Sequence, residues 1–196
     1  RDGIRVRADQ TGEPIELRAQ PAATASVLVT TSGGNPIAGA TVLCVDAEGN
    51  PLGTLGLATS GPDGRAWFGG MPRGTARVVG RAPGFAPAAS ALQELGPDHA
   101  IEFQLALTSG TRTTLQAFDR SGQPLTGAQL TARCDDGPWL PSLVLIERLR
   151  TDGGFDLGRL GRGAWEFRVN HPKVGNLTQQ RTIGDEASVT VVLTQR

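Results

Sequence analysis

The sequence predicts an all-β protein made of two small tandem β-sandwiches, and three observations carry that prediction. The 196 residues include Gly 27 and Pro 13 without a collagen-like or low-complexity pattern, a composition that calls for many tight turns between short strands. Apolar residues alternate at period two, most strictly at Ile101, Phe103, Leu105 and Leu107 and again at Val189, Val191 and Leu193; such segments bury one face and wet the other. The chain also repeats itself after about 88 residues, a period long enough to be a whole small domain.

The repeat sets the elements in order. SVLVTTSGGNPIAGATVLCV (26–45) matches TLQAFDRSGQPLTGAQLTARC (114–134) as a strand, a Gly-x-Pro turn, and Gly-Ala opening a second strand, with Gly39-Ala40 and Gly127-Ala128 as anchors. PDGRAWFGGMPRG (62–74) matches TDGGFDLGRLGRG (151–163), where Asp63-Gly64 and Asp152-Gly153 precede Gly74 and Gly163. Asp-Gly between apolar alternations marks a turn because Gly accepts the positive φ it needs. The domains are therefore read as 22–109 and 110–196. The TSG stretch at 108–110 is short enough to hold them in a nearly fixed end-to-end relation.

Residues 1–21 belong to neither copy. Ile4, Val6 and Ala8 alternate with Arg5 and Arg7, DQTGEP turns the chain, and Ile15, Leu17 and Ala19 alternate again. Two readings stand: the end of a preceding module, or an N-terminal hairpin on the first sandwich. No hydrophobic signal segment precedes the first strand, so any targeting peptide is read as removed or outside this chain.

The alignment assigns faces. Val27, Val29, Ala40, Val42, Ala66, Phe68, Ala76 and Val78 should point inward, as should Leu115, Ala117, Ala128, Leu130, Phe155, Leu157, Trp165 and Phe167. The second core is bulkier at Ala66/Phe155 and Ala76/Trp165, and interiors are filled near crystal density. Phe85 and Phe103 are the candidates to make up that volume in the first. Cys44 and Cys134, one per copy, share the inward parity and are read as small buried hydrophobes.

Charge excludes some functions. The chain carries 19 basic and 19 acidic residues, and neither copy departs from balance by more than two charges, so there is no electrostatic grip on nucleic acid. No apolar run of about 18 residues occurs, so no helical membrane insertion is expected.

The order of turns resembles the carboxypeptidase regulatory-like domain, a transthyretin-like (prealbumin-like) β-sandwich. GNPIAGATV, TSGPDGRAWFGGMPRG and RAPGFAP carry the likeness in the first copy; GQPLTGAQL and TDGGFDLGRLGRGAWEF carry it in the second, where NHPKVG lacks the family's Gly-aromatic turn. The resemblance implies two tandem Greek-key, Ig-like or prealbumin-like β-sandwiches of seven strands each, of a kind used as a spacer or docking surface in peptidases, transporters, adhesins and other surface proteins, and hence an extracytoplasmic location: secreted, periplasmic or cell surface.

Chemistry known on similar sandwiches does not fit these residues. A hydroxyisourate hydrolase needs several histidines and a terminal Tyr-Arg-Gly-Ser, and an intradiol dioxygenase needs two Tyr and two His; this chain has His99 and His171, and Tyr 0. Neither histidine lies in a zinc-ligand cluster, and no serine sits in a Gly-x-Ser-x-Gly elbow. Asp135-Asp136 and Asp185-Glu186 fall in turns without the alternating oxygen pattern of a calcium loop. Lys173, the sole lysine, leaves the first copy unable to form a Lys–Asn isopeptide bond. No catalytic residue, metal or cofactor is expected.

A binding surface would use exposed aromatics. Trp67 falls between inward Ala66 and Phe68 and should stand on the wet face; Trp139 lies in the loop DDGPWLPS. Arg148, Arg150, Arg159, Arg162 and Arg168 are interspersed with Glu147, Asp152, Asp156 and Glu166, so cross-strand ion pairs are expected ahead of an anion patch. The leading reading is a non-catalytic spacer or docking module whose partner is a protein or a neighbouring domain of the same polypeptide. The alternatives are a carbohydrate-binding or adhesive module using Trp67 or Trp139, and accessory domains of a secreted peptidase.

Overall fold

The computed structural model describes residues 22–52, 56–97 and 100–194; the N-terminal segment 1–21 and His99, both singled out above, lie outside the described residues. The chain folds as β-sandwiches in tandem. The first half supplies β1 (Ala23–Thr31), β2 (Thr41–Val45), β3 (Leu57–Thr59), β4 (Arg65–Met71), β5 (Gly74–Arg81), β6 (Ala88–Ala89), β7 (Gln93–Leu95) and β8 (Ile101–Leu107). The second supplies β9 (Thr111–Phe118), β10 (Gln129–Cys134), helix α1 (Ser142–Leu145), β11 (Arg148–Leu149), β12 (Phe155–Leu160), β13 (Gly163–His171), β14 (Gly175–Ile183) and β15 (Ser188–Thr194).

The two halves share a pairing scheme. One sheet runs β4-β1-β8 in the first half, and β12-β9-β15, with β11 added outside β12, in the second. In each the first and last strands pair in parallel, Val27 with Phe103 and Leu115 with Val191. The opposing sheets are β3-β2-β5-β6, with β7 also on β5, and β10-β13-β14. The anchor glycines keep their conformations, φ 72° and 76° at Gly39 and Gly127, and 124° and 142° at Gly74 and Gly163. The first half has eight strand segments because its outer edge is broken into β6 and β7, where the second has the continuous β14.

Gly64 shows why the Asp-Gly turns are needed. Its φ is +76°, and a Cβ there would come within 2.6 Å of the Val29 carbonyl oxygen, so the turn sits directly on β1 and Val29 N–H donates to the Gly64 carbonyl at 2.8 Å. The turn around Gly153 closes a true hairpin, β11 to β12, whereas the one around Gly64 leads from one sheet to the other.

Burial follows the assigned faces. Fifteen of the sixteen inward positions are buried, the exception being Ala128, which precedes β10 and is only half-buried. Phe103 is fully buried and supplies first-core volume, as expected: its partner position in the second half holds the smaller Val191, opposite the bulky Phe155 and Trp165. Phe85 contributes from the periphery: it is half-buried, packs against the first core, and also lines a crevice between the halves together with Ala82, Pro87, Val144 and Leu157.

The halves do more than follow one another end to end. The first core is drawn from residues 23 to 107 alone, but the second continues across the joint into Leu43, Val45 and Val79. These point out of the first sandwich, since Val42, Cys44 and Val78 fill its inside. Helix α1 covers them with Val144 and Leu145, both fully buried. Ser142 fixes the helix to β10: its Oγ accepts from Leu130 N–H at 3.1 Å and donates to the Leu130 carbonyl at 2.6 Å.

Candidate functional site

Trp67 stands on the outward face of β4 with 68% of its surface exposed. The neighbouring strands place Ser26 and then Glu102 in its row. Arg65, two residues before it on the same face, reaches across β1 and pairs with Glu102, and Gln104 lies in the next row. Among the described residues β4 is the sheet's edge, and no strand pairs on its far side. In the second half β11 pairs with β12 at the matching position, where Asp156 is buried and faces the guanidiniums of Arg112 and Arg148, each at 3.6 Å. The Trp67 face thus offers a bare aromatic surface beside charges already neutralised by one another.

Trp139 is placed differently from a free loop tip. Its ring is half-buried between the guanidiniums of Arg168 at 4.2 Å and Arg133 at 4.9 Å, cation–π contacts on the outward face of β10 and β13. Its backbone meets Gly49 of the first half, where a Cβ would fall 2.5 Å from the Trp139 carbonyl oxygen and φ is +93°. Trp139 therefore belongs to the joint, and it shares neither strand nor sheet with Trp67. Trp165 is core, as expected, with Nε1–H donating to the Gly161 carbonyl at 2.8 Å.

The five arginines do not gather into an anion patch. Arg148 faces Asp156, Arg150 pairs with Asp152 at 2.7 Å, Arg162 pairs with Asp185, and Arg168 lies 3.9 Å from Glu166, which also holds Arg133 at 2.7 Å. Arg159 donates to the Gly110 carbonyl at 2.6 Å. Of these contacts the Arg148–Asp156 and Arg133–Glu166 pairs are cross-strand, as is Arg112–Asp156; the remaining contacts of the five arginines are local or made to loops. The Arg150 side chain and the Gly154 N–H hold the Asp152 carboxyl below the ordinary aspartate range. A surface recess of about 690 Å³ at the linker is lined by Arg159, Arg162, Asp185 and Glu186, and its charges balance.

The turn carboxylates act as caps. Asp135, at φ 49°, accepts from Ala164 N–H at 3.0 Å, and Glu186 accepts from Gly184 N–H at 2.8 Å. His171 Nδ1 accepts from Lys173 N–H at 3.3 Å, which leaves Nε2–H to donate to the Thr126 carbonyl at 3.2 Å. Among the described residues no three His, Cys, Asp or Glu side chains assemble into a metal-binding group, and no helix is long and apolar enough to cross a membrane.

Cys44 is buried as expected, whereas Cys134 is only half-buried because β10 ends there and its Sγ turns towards Asp135 and the Arg162 carbonyl. Burial pushes the Cys44 thiol up to about 11; burial followed by the adjacent Asp135 carboxylate does the same for Cys134. Both folded values lie above the ordinary 9.0, so the stability they contribute is complete below about pH 9 and is lost as pH rises towards 11. At neutral pH both remain thiols, and thiolate is the nucleophile. A disulfide-exchange reagent is expected to react slowly with native protein, Cys134 ahead of Cys44, and rapidly with both once denaturant is added. Immediate native reaction of Cys44 would contradict its burial.

What the sequence reading missed is the apolar outward triad Leu43, Val45 and Val79. The signal was present: TVLCV (41–45) and VV (78–79) do not alternate, and an unbroken apolar strand is one buried on both faces.

Comparison with known proteins bears on the first half. Residues 24–108 match the carboxypeptidase regulatory-like domain family. The match takes in all but the first residue of β1, runs through β8, and enters the linker. No curated protein matches the sequence. Among solved structures, a Streptococcal ancillary pilin is similar at 17% identity, TM-score 0.37, over 96% of this chain and 68% of that one. The Bacillus anthracis TIE protein is similar at 14% identity, TM-score 0.38, over 90% of this chain and 34% of that one, so the chain spans about a third of its length. The shaft pilin of Lactobacillus rhamnosus GG is similar at 11% identity, TM-score 0.34, over 89% and 98%.

Proposed function

We propose that this chain is a non-catalytic spacer and docking unit of a larger exported or cell-surface protein, divided into modules 22–109 and 110–196. The observation that carries this reading is the joint. Leu43, Val45 and Val79 of one module share a core with Val144 and Leu145 of the next, so a three-residue linker and an apolar contact together set one orientation. A spacer needs such a fixed angle. Trp67 is the docking point on this reading, being, among the described residues, the most exposed large apolar side chain and one that no strand covers.

Fluorescence quenching tests the docking role, because Trp165 is buried and Trp139 is half-buried between arginines. Acrylamide is expected to quench Trp67 efficiently in this chain and poorly in the full-length protein or with its partner bound. Equal quenching in every context would remove Trp67 from the interface.

A second reading, sugar binding, is favoured by one observation: the groups around Trp67 are hydrogen-bonding and, as a set, neutral, which suits an uncharged pyranose stacked on the ring. On a glycan array Trp67→Ala is expected to abolish binding and Trp139→Ala to spare it. Trp67→Ala should shift stability by no more than ~0.5 kcal/mol, as for other exposed positions. Absence of binding to any glycan would leave the docking reading alone.

A further inference from the structure

We propose that β14 is a self-pairing edge through which two copies of this chain join into one continuous antiparallel sheet. An unpaired strand edge is a template for another strand, and proteins blunt such edges with proline, breaks, bulges or charge. The first half does so: its matching edge is split into β6 and β7, follows Pro87, and is tied towards β8 by Gln93 Nε2, which donates to the Glu102 carbonyl at 3.4 Å. β14 carries none of these devices except one cation. Its nine residues run unbroken without proline, every residue from Gly175 to Thr182 is exposed or half-exposed, and Arg181 is its sole charge. Among the described residues its only strand partner is β13. A recess of about 350 Å³ between Asn176–Gln179 and Leu193–Thr194 leaves the seam between the two sheets open on this side.

A second copy fits this edge better than a foreign strand of unknown charge. A two-fold axis at Gln179 sets Asn176 against Thr182, Leu177 against Arg181, Thr178 against Gln180, and Gln179 against itself. No like charges face each other, the arginine stem lies along a leucine, and two amides able to hydrogen-bond meet at the axis. The resulting sheet would run β10-β13-β14 in one copy and continue in reverse order through its partner. A single strand seam is smaller than the ~1,200–2,000 Å² of a standard stable interface, so the association is weak and fills when copies are held close together.

Sedimentation equilibrium over a wide concentration range tests the proposal. The chain is expected to show a reversible monomer–dimer equilibrium. Gln179→Lys and Gln179→Glu, each placing like charges at the axis, should weaken it about fivefold, and mixing the two variants should restore it. Circular dichroism of each variant should match the parent, since Gln179 is exposed. A strictly monomeric parent overturns the proposal, as does a dimer that both variants leave intact or that mixing fails to restore.

Discussion

Val79→Asp is expected to split the unfolding of this chain into two steps. Val79 is fully buried, yet it points away from the first core and into the joint, beside Leu43 on β2 and beneath α1. A carboxylate there has no partner within the apolar cluster, and an uncompensated buried charge costs about 3–5 kcal/mol. Opening the joint relieves that cost, because the first core is complete without these residues. The expected result in chemical denaturation is a single transition in the parent and two in the variant, with the loss confined to the coupling between halves. Small-angle scattering should show a distribution of angles between the halves that the parent lacks, which would also remove the fixed angle that the proposed spacer role requires. The repeat supplies an internal comparison: Thr131 occupies the position of Leu43 in the second half, is half-buried, and lies opposite Arg168. Thr131→Asp sets its carboxylate beside a cation and not inside an apolar cluster, so it should leave a single transition. A single unchanged transition in Val79→Asp would mean that the halves do not depend on the joint.

The second large effect is expected from Trp165→Ala, which installs in the second core the residue its counterpart Ala76 provides in the first. Trp165 is 2% exposed and stacks on Phe167 with ring centroids 6.0 Å apart. Truncation to Ala in a core costs about 3–5 kcal/mol, and here it also strips the Gly161 carbonyl of the Nε1–H donor held at 2.8 Å. The first half tolerates alanine because Phe103 reaches into its core from β8; the second has Val191 at that register and nothing larger to move in. The second half should unfold ahead of the first, splitting the parent's single transition in two, with the first half's step remaining near the parent midpoint. Trp165→Phe should recover much of the packing but not the hydrogen bond, leaving a deficit of about 1 kcal/mol. Equal destabilisation of both halves would show the two cores to be one.

Much of the fold was legible because a β-sandwich writes its faces into the chain at period two. Val27 and Val29, and Leu115 and Ala117 after them, needed only parity to be placed inside, and the glycine anchors fixed which turn matched which. Trp67 was legible for the same reason, since it alternates with Ala66 and Phe68. Trp139 was not: a loop residue has no parity, and only the folded chain brings it between Arg133 and Arg168 and against Gly49. Cys134 misled because the strand that would have buried it ends at that residue. Phe85 was placed on the first core by volume, and it does pack there; that it also faces the other half across the crevice was not legible.

By itself the sequence determined the class of fold, the repeat, the inward faces and the exposure of Trp67, all of which depend on interactions within a strand or between a turn and its flanking residues. Tertiary structure alone decided the relation of the two halves, the place of Trp139 and, among the described residues, the position of β14 at a sheet edge. These depend on which outward surfaces meet. Outward residues are selected by whatever covers them, and the chain's local pattern records that they are apolar or polar without recording the partner.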